Sequence, residues 1–99
     1  MKPLVTVGIP TYNRPQYLQK AIQGIHAQTY DNLEIIISDN QSPDSLAIDK
    51  VVQPWLAKDG RIRFVRQPQN IGAIRNFKFL LDQAKGDYFM WAADDDELE

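Results

Sequence analysis

The sequence has no cysteine, which excludes a disulfide framework and a Cys-based zinc site and leaves the fold to rest on packing. Its single histidine, His26, has no Ser or Cys nucleophile arranged with it and reads as a surface or helix-end residue. No Lys/Arg run stands out, and 11 basic against 13 acidic residues give a net charge of -2, so nucleic acid is not an expected partner. No apolar run approaches the roughly 18 residues that cross a bilayer. The start, Met1-Lys2-Pro3, enters a β-rich run without the apolar stretch of about 7–15 residues that a secretory signal carries. These absences suit a cytoplasmic location, with any membrane association made through parts not present.

What remains is the composition of an ordinary folded protein. Ninety-nine residues, 43% hydrophobic and 24% charged, suit one domain over residues 1–99, large enough to bury about two-thirds of its unfolded surface. Leu4-Val5-Thr6-Val7-Gly8-Ile9 reads as a strand ended by Pro10, which lacks a backbone donor. Tyr17, Leu18, Ala21, Ile22 and Ile25 then recur at helical spacing, with Asn13 as N-cap and Pro15 early in the helix. Leu33 to Ser38 is a second strand whose nearly unbroken apolar run implies burial on both faces, as in a parallel sheet. A helix carrying Leu46, Ile48, Val51, Val52, Trp55 and Leu56 follows, with Pro54 expected to interrupt or kink it. Arg61 to Arg66 alternates charged and apolar residues, the mark of a strand with one wet face near a sheet edge. A third helix from Ile71 or Gly72 places Ile74, Phe77, Leu80, Leu81 and Ala84 on one stripe and stops at Gly86, before a strand over Tyr88–Ala92.

The order β-α-β-α-β-α-β predicts a Rossmann-like, doubly wound, mainly parallel sheet with helices on both faces. Ligands of such sheets sit beyond the carboxyl ends of the strands, where this chain places Pro10 to Arg14, Asp39 to Asp44, Gln67 to Arg75 and Ala93 to Glu97. Asp39 is placed to accept hydrogen bonds from a base or ribose, or else to build its own turn. Tyr12 is placed to stack on a base or to cover the core edge. Arg75, near the start of the third helix, can face a diphosphate together with the helix N-terminus, or stand as a surface arginine. Asp94-Asp95-Asp96 sets three carboxylates side by side after a strand, a cluster that a magnesium ion and substrate phosphates would satisfy and that otherwise reads as a solvated terminus. Trp55 and Trp91 read as core residues.

Taken in register, Val7 to Arg14, Ala27-Gln28-Thr29-Tyr30, Leu33 to Asp44, Gln69-Asn70-Ile71-Gly72 and Gly86-Asp87-Tyr88 through Asp96 resemble the family-two glycosyltransferases nearly end to end. The resemblance implies the N-terminal half of a GT-A fold, a nucleotide-diphosphate sugar donor with a UDP-sugar favoured, a carbohydrate or lipid acceptor, and a magnesium or manganese ion on an Asp-x-Asp-type motif. It implies that Pro10, Thr11, Tyr12 and Asp39 meet the nucleoside, that Arg14 belongs to the substrate site, that Arg75 lies near the donor, that Asp94 meets the ribose, and that Asp95 and Asp96 hold the metal. The family often has Asp-Ala-Asp-Asp where this chain has Ala93-Asp94-Asp95-Asp96, so the first acid is missing. The family's general base and acceptor surface lie further along, so the resemblance marks the chain as a fragment with no catalytic residue of its own, negligible transfer by itself and apolar surface open to self-association.

Two other readings compete. One is a nucleotide-binding module without chemistry. The other is a receiver-type phosphoacceptor domain, which gathers its acids after early strands, whereas the triplet here follows the fourth. Dinucleotide dehydrogenases and P-loop enzymes fit poorly, since the first strand-helix turn reads Pro10-Thr11-Tyr12-Asn13-Arg14 without a glycine-rich phosphate turn.

Overall fold

The computed structural model describes residues 2–92. Strands and helices alternate: β1 (Val5–Thr11), α1 (Pro15–His26), β2 (Leu33–Asp39), α2 (Ser45–Lys58), β3 (Ile62–Arg66), α3 (Ala73–Gln83) and β4 (Tyr88–Trp91). Every strand pairing is parallel and the spatial order is β3-β2-β1-β4. The two central strands carry the longest apolar runs, because a parallel strand covered on both faces can expose neither side.

The period of two sorts the layers. Val7 and Ile9 of β1 and Ile35 and Ile37 of β2 pack with Leu18, Ile22 and Ile25 of α1 and Ile48, Val52 and Trp55 of α2 in one buried cluster. The alternate residues face α3: Leu80 Cβ lies 3.3 Å from where a Cβ on Gly8 would stand, and Asn76 hydrogen-bonds Ser38. Helices therefore cover both faces, with α1 and α2 on one and α3 on the other. Each fully buried Ile or Leu of these layers contributes about 1.5–3 kcal/mol of transfer free energy.

Several local expectations are corrected. Pro10 does not end β1, which stays paired with β2 as far as Thr11 opposite Asp39. Its missing N–H falls on the β4 side, past the last bond of that ladder among the described residues, from Ala92 N–H to Gly8 C=O, so no bond among them is lost. Asn13 is not a cap; it takes a positive φ of 57° and its N–H donates to Ser42 Oγ at 2.7 Å, while Arg14 precedes the helix without a side-chain cap. Helix α2 runs uninterrupted through Pro54. Pro54 and Lys50, whose carbonyl loses its helical donor, are both exposed, so water can satisfy that oxygen.

The predicted stripe of α3 has the right period and the wrong phase. Leu80 is buried, but Ile74 is 83% and Leu81 52% exposed, and the second buried residue of the helix is Asn76. The face it covers presents Ser38 and Gly8, which take a polar partner and a close approach rather than a row of large apolar side chains. Trp91 is also not core: it is 42% exposed and packs on Phe77 and Phe89, with ring centroids 4.8 and 4.5 Å away. Nor is Gly86 the helix stop, since α3 ends at Gln83 and Ala84 is extended. Instead, Gly86 passes so close to β1 that a Cβ there would lie 2.7 Å from Thr6 N and 2.8 Å from Leu4 O.

At the amino end of the sheet, Asp59 ties α1, α2 and β3 together. Its carboxylate accepts from Arg61 Nε at 2.9 Å, Arg61 Nη2 at 2.8 Å and Arg61 N at 3.0 Å, and lies 3.1 Å from His26 Nδ1. The Arg61 guanidinium holds this carboxyl well below the usual carboxylate range, against the opposing effect of burial, with the Arg61 amide and His26 adding to the shift. A folded-state pKa below the unfolded value of about 3.9 contributes stability that is full above that value and is lost as pH falls beneath it. Asp59→Ala is expected to cost about 2 kcal/mol at pH 7. Asp59→Asn should flatten the acid limb of stability below about pH 4, measured as melting temperature between neutral and acidic pH.

Candidate functional site at the carboxyl rim of the sheet

β2 and β3 run out from β1 on one side and β4 lies on the other, so the switch in strand order falls between β1 and β4. Ligands of open parallel sheets bind outside the carboxyl ends of the strands near such a switch. Two loops are joined there by one hydroxyl. Ser42 Oγ donates to Asp39 Oδ1 at 2.5 Å and accepts the Asn13 N–H, so the turn after β1 is anchored to the turn after β2.

Asp39 closes β2 in register with Thr11 of β1 and Arg66 of β3. Its side chain is 0% exposed. Besides the Ser42 hydroxyl it accepts the Ser42 N–H, 3.3 Å from either oxygen, and Arg66 Nε, 3.0 Å from Oδ2. Arg66 reaches onward through Nη2 to Asp49 Oδ1 at 3.0 Å and to Ser45 C=O at 3.3 Å. Burial disfavours the charge on Arg66, but its hydrogen bonds to Asp39 and Asp49 outweigh this and raise its pKa. The turn-building role of Asp39 is thus present, and its carboxylate stands at the rim in a fixed orientation.

The loop between β3 and α3 is fastened to the same rim. Gln67 N–H donates to Asp39 C=O, Gln41 Nε2 donates to the Gln67 and Pro68 carbonyls, and Asn40 Oδ1 accepts the Ile71 N–H. Asn70 Oδ1 accepts from Asn40 Nδ2 and Gly72 N–H. Beneath them, Ser38 Oγ donates to Asn76 Oδ1 at 2.6 Å and accepts Gln67 Nε2 at 3.0 Å. Gly72, at φ 87°, turns the chain into α3, and no side chain caps the first amides of that helix.

Of the residues singled out in the sequence, Pro10, Thr11, Tyr12, Asp39 and Arg75 fall on or beside this rim. Pro10 and Thr11 are buried, whereas Tyr12 is 43% exposed. Arg75, exposed in the first turn of α3, stands next to the uncapped amides. Arg14 also begins at the rim, with its guanidinium 5.3 Å from the Tyr17 ring centroid. Asp94, Asp95 and Asp96 lie outside the described residues. Among the described residues, no cluster of three or more His, Cys, Asp or Glu could hold a metal ion. The sequence reading missed Asn40, Ser42, Arg66, Gln67 and Asn76. Asn40, Ser42 and Gln67 lie in segments placed at the ligand-binding ends of the strands but were not singled out as site residues, and Arg66 read as the wet face of β3. Asn76 carried one usable signal, as a polar residue one turn before Leu80 on the same side of its helix.

Fold and rim together define a doubly wound, parallel α/β sheet with a hydrogen-bonded carboxyl rim, and comparison with known proteins gives the family. Residues 6–99 match the model of glycosyl transferase family 2, so this chain belongs to that family. It is 41% identical over 97 residues to a GalNAc(5)-diNAcBac-PP-undecaprenol beta-1,3-glucosyltransferase of Campylobacter jejuni, covering 97% of this chain and 31% of that protein. It is 37% identical over 98 residues to the abequosyltransferase RfbV of Salmonella typhimurium, covering 96% and 29%. The chain therefore spans under a third of the length of these relatives. Among solved structures, the mannosyltransferase PcManGT of Pyrobaculum calidifontis, in complex with GDP-Man and Mn2+, superposes with a TM-score of 0.84 at 24% identity, over 96% of this chain and 28% of that one. TarS 1-349 of S. aureus in complex with UDP-GlcNAc gives 0.81 at 22% identity, over 96% and 27%. At these identities the likeness is one of fold.

Also among the described residues, no helix is long and apolar enough to cross a membrane.

Proposed function

We propose that this chain binds the nucleotide diphosphate of a sugar donor along the carboxyl rim of its sheet, and that the longer protein transfers the sugar, with inversion, to an acceptor hydroxyl on a carbohydrate or lipid. The observation that carries the reading is the buried Asp39 carboxylate, held at the strand ends beside Thr11 and the turn that bears Tyr12. An ionised carboxylate is acceptor-only, so it suits the N–H edge of a base, and UDP is the favoured nucleotide. Tyr12 offers a ring for stacking, and Arg75 with the uncapped amides of α3 offers positive charge to the phosphates. Pro10 and Thr11 form the floor under the nucleoside. Arg14 lines its outer side.

Magnesium or manganese on Asp95 and Asp96, with Asp94 on the ribose, completes the reading. β4 runs parallel to β1 and leaves the sheet at this same end, which favours a site there. When bound, the ion neutralises charge on the leaving diphosphate. GDP-Man with Mn2+ in the mannosyltransferase and UDP-GlcNAc in TarS make the same ligand class natural here. The deprotonating base and acceptor surface belong, on this reading, to the longer protein.

Calorimetric titration with UDP, with and without manganese, tests it. Binding should tighten with manganese, and Asp95→Ala should remove that gain while leaving a preference for UDP over other nucleoside diphosphates. Absence of nucleotide binding, or equal affinity for every base, would overturn the assignment.

A further inference from the structure

Besides the Ser42 N–H, 3.3 Å from either oxygen, Asp39 has two side-chain partners, and they differ in how easily they let go. Ser42 holds one oxygen through a hydroxyl, a single-bond rotor that can turn its proton elsewhere while still accepting the Asn13 N–H. Arg66 holds the other oxygen through Nε, and its planar fork is clamped at Nη2 by Asp49 and the Ser45 carbonyl of α2. A guanidinium fixed at several points cannot swing away without breaking all of them, and its charge does not titrate. The Arg66 side chain is 27% exposed, that of Asp49 35%, and Asp39 is enclosed. The chain Asp49–Arg66–Asp39 thus runs inward from α2 to the rim.

We infer that Arg66, braced by Asp49, is a positioning residue for nucleotide selection: it fixes the Asp39 carboxylate so that the Ser42 hydroxyl is the partner an incoming base N–H displaces. The inference rests on the reading of Asp39 as the base-contacting group and adds to it the residue that makes the contact selective. The chemistry defines what is selected. Uracil presents N3–H, a donor, where the nearly isosteric cytosine presents N3 as an acceptor; a carboxylate in one orientation attracts the first and repels the second. A carboxylate free to rotate can meet the cytosine amino group instead, and the discrimination falls. Arg66 touches neither base nor phosphate in this scheme.

Titration of the 99-residue chain with UDP and with CDP, with melting temperature recorded for each variant, separates the possibilities. The wild type should prefer UDP by at least about tenfold, the worth of one hydrogen bond to a charged group. Asp39→Asn, whose amide can donate to cytosine N3, should move the preference toward CDP. Arg66→Met should bring the UDP:CDP ratio near one. Arg66→Lys keeps the charge without the fork and should recover only part of the ratio. Asp49→Ala removes the brace and leaves Asp39 untouched, so it should lower the ratio to an intermediate value; it also serves if Arg66→Met does not fold. If the Arg66 and Asp49 variants melt lower and bind both nucleotides more weakly with the ratio preserved, Arg66 is only structural and the inference is overturned. If the wild type shows no preference, or Asp39→Asn leaves the ratio unchanged, the reading of Asp39 itself fails, and the inference with it.

Discussion

Asp39→Ala is expected to weaken UDP binding by at least about tenfold, because a charged hydrogen bond to the base contributes about 1.5–3 kcal/mol. The same substitution should destabilise the fold, by an amount its neighbours set. Stripping one partner from a fully buried ion pair costs about 3–5 kcal/mol when the other charge is left alone. Here Arg66 keeps Asp49 and the Ser45 carbonyl, so about 1–3 kcal/mol is expected, the cost of leaving a few donors unmatched. Denaturant unfolding with and without UDP separates the two effects. Loss of stability with unchanged affinity for the folded protein would make Asp39 a turn-building residue and nothing more.

The largest effect on stability is expected at Gly86→Ala. A methyl there meets Thr6 N, Thr6 Oγ1 and Leu4 O, all within 2.8 Å, and two of these are backbone atoms that cannot step aside. The contact also lies where β4 begins its pairing: Gly86 N–H donates to Thr6 Oγ1, and Asp87 and Tyr88 N–H both donate to Leu4 C=O. Overpacking costs about 1–3 kcal/mol, and displacing these bonds adds about 1 kcal/mol for each one lost, so a loss of about 3 kcal/mol or more should appear in denaturant melts. Gly24→Ala is the matching control. Nothing lies within 4 Å of a Cβ there, in the exposed last turn of α1, and the substitution should stabilise by up to about 0.5–1 kcal/mol. A neutral Gly86→Ala would show that β4 is free to move away from β1.

Much of this fold is legible in the chain because its layers are written in two periods. The nearly unbroken run Leu33 to Ser38 marks a strand buried on both faces, and the alternation Ile62-Arg63-Phe64 marks an edge strand; both expectations hold. Amphipathic spacing likewise places α1. What the sequence conceals depends on which atoms meet across the sheet. Asn76 looks like a polar interruption until the hydroxyl and the carbonyl of Ser38 are found on its amide. Arg66 looks solvated until Asp39 and Asp49 are found on either side of its guanidinium. Gly86 looks like a helix stop, although its smallness serves the close approach to β1 at the other end of the chain. Periodicity gives the buried faces of β2 and α1 but not of α3, and nowhere does it give the partners of which a hydrogen-bonded rim is made. The positions of Asp39 and Tyr12 were readable because both follow directly from strand ends.

The central claim is that donor and cation meet at the carboxyl rim of the sheet, and paramagnetic broadening of amide resonances by Mn2+ in the presence of UDP tests it most directly. The account predicts that the amides of Thr11, Tyr12, Gly72 and Arg75 broaden together when both are added, while Gly60 and Arg61, about 20 Å away at the far ends of the strands, stay sharp. Broadening centred on the Asp59 end, or broadening at the rim that ignores UDP, would contradict it.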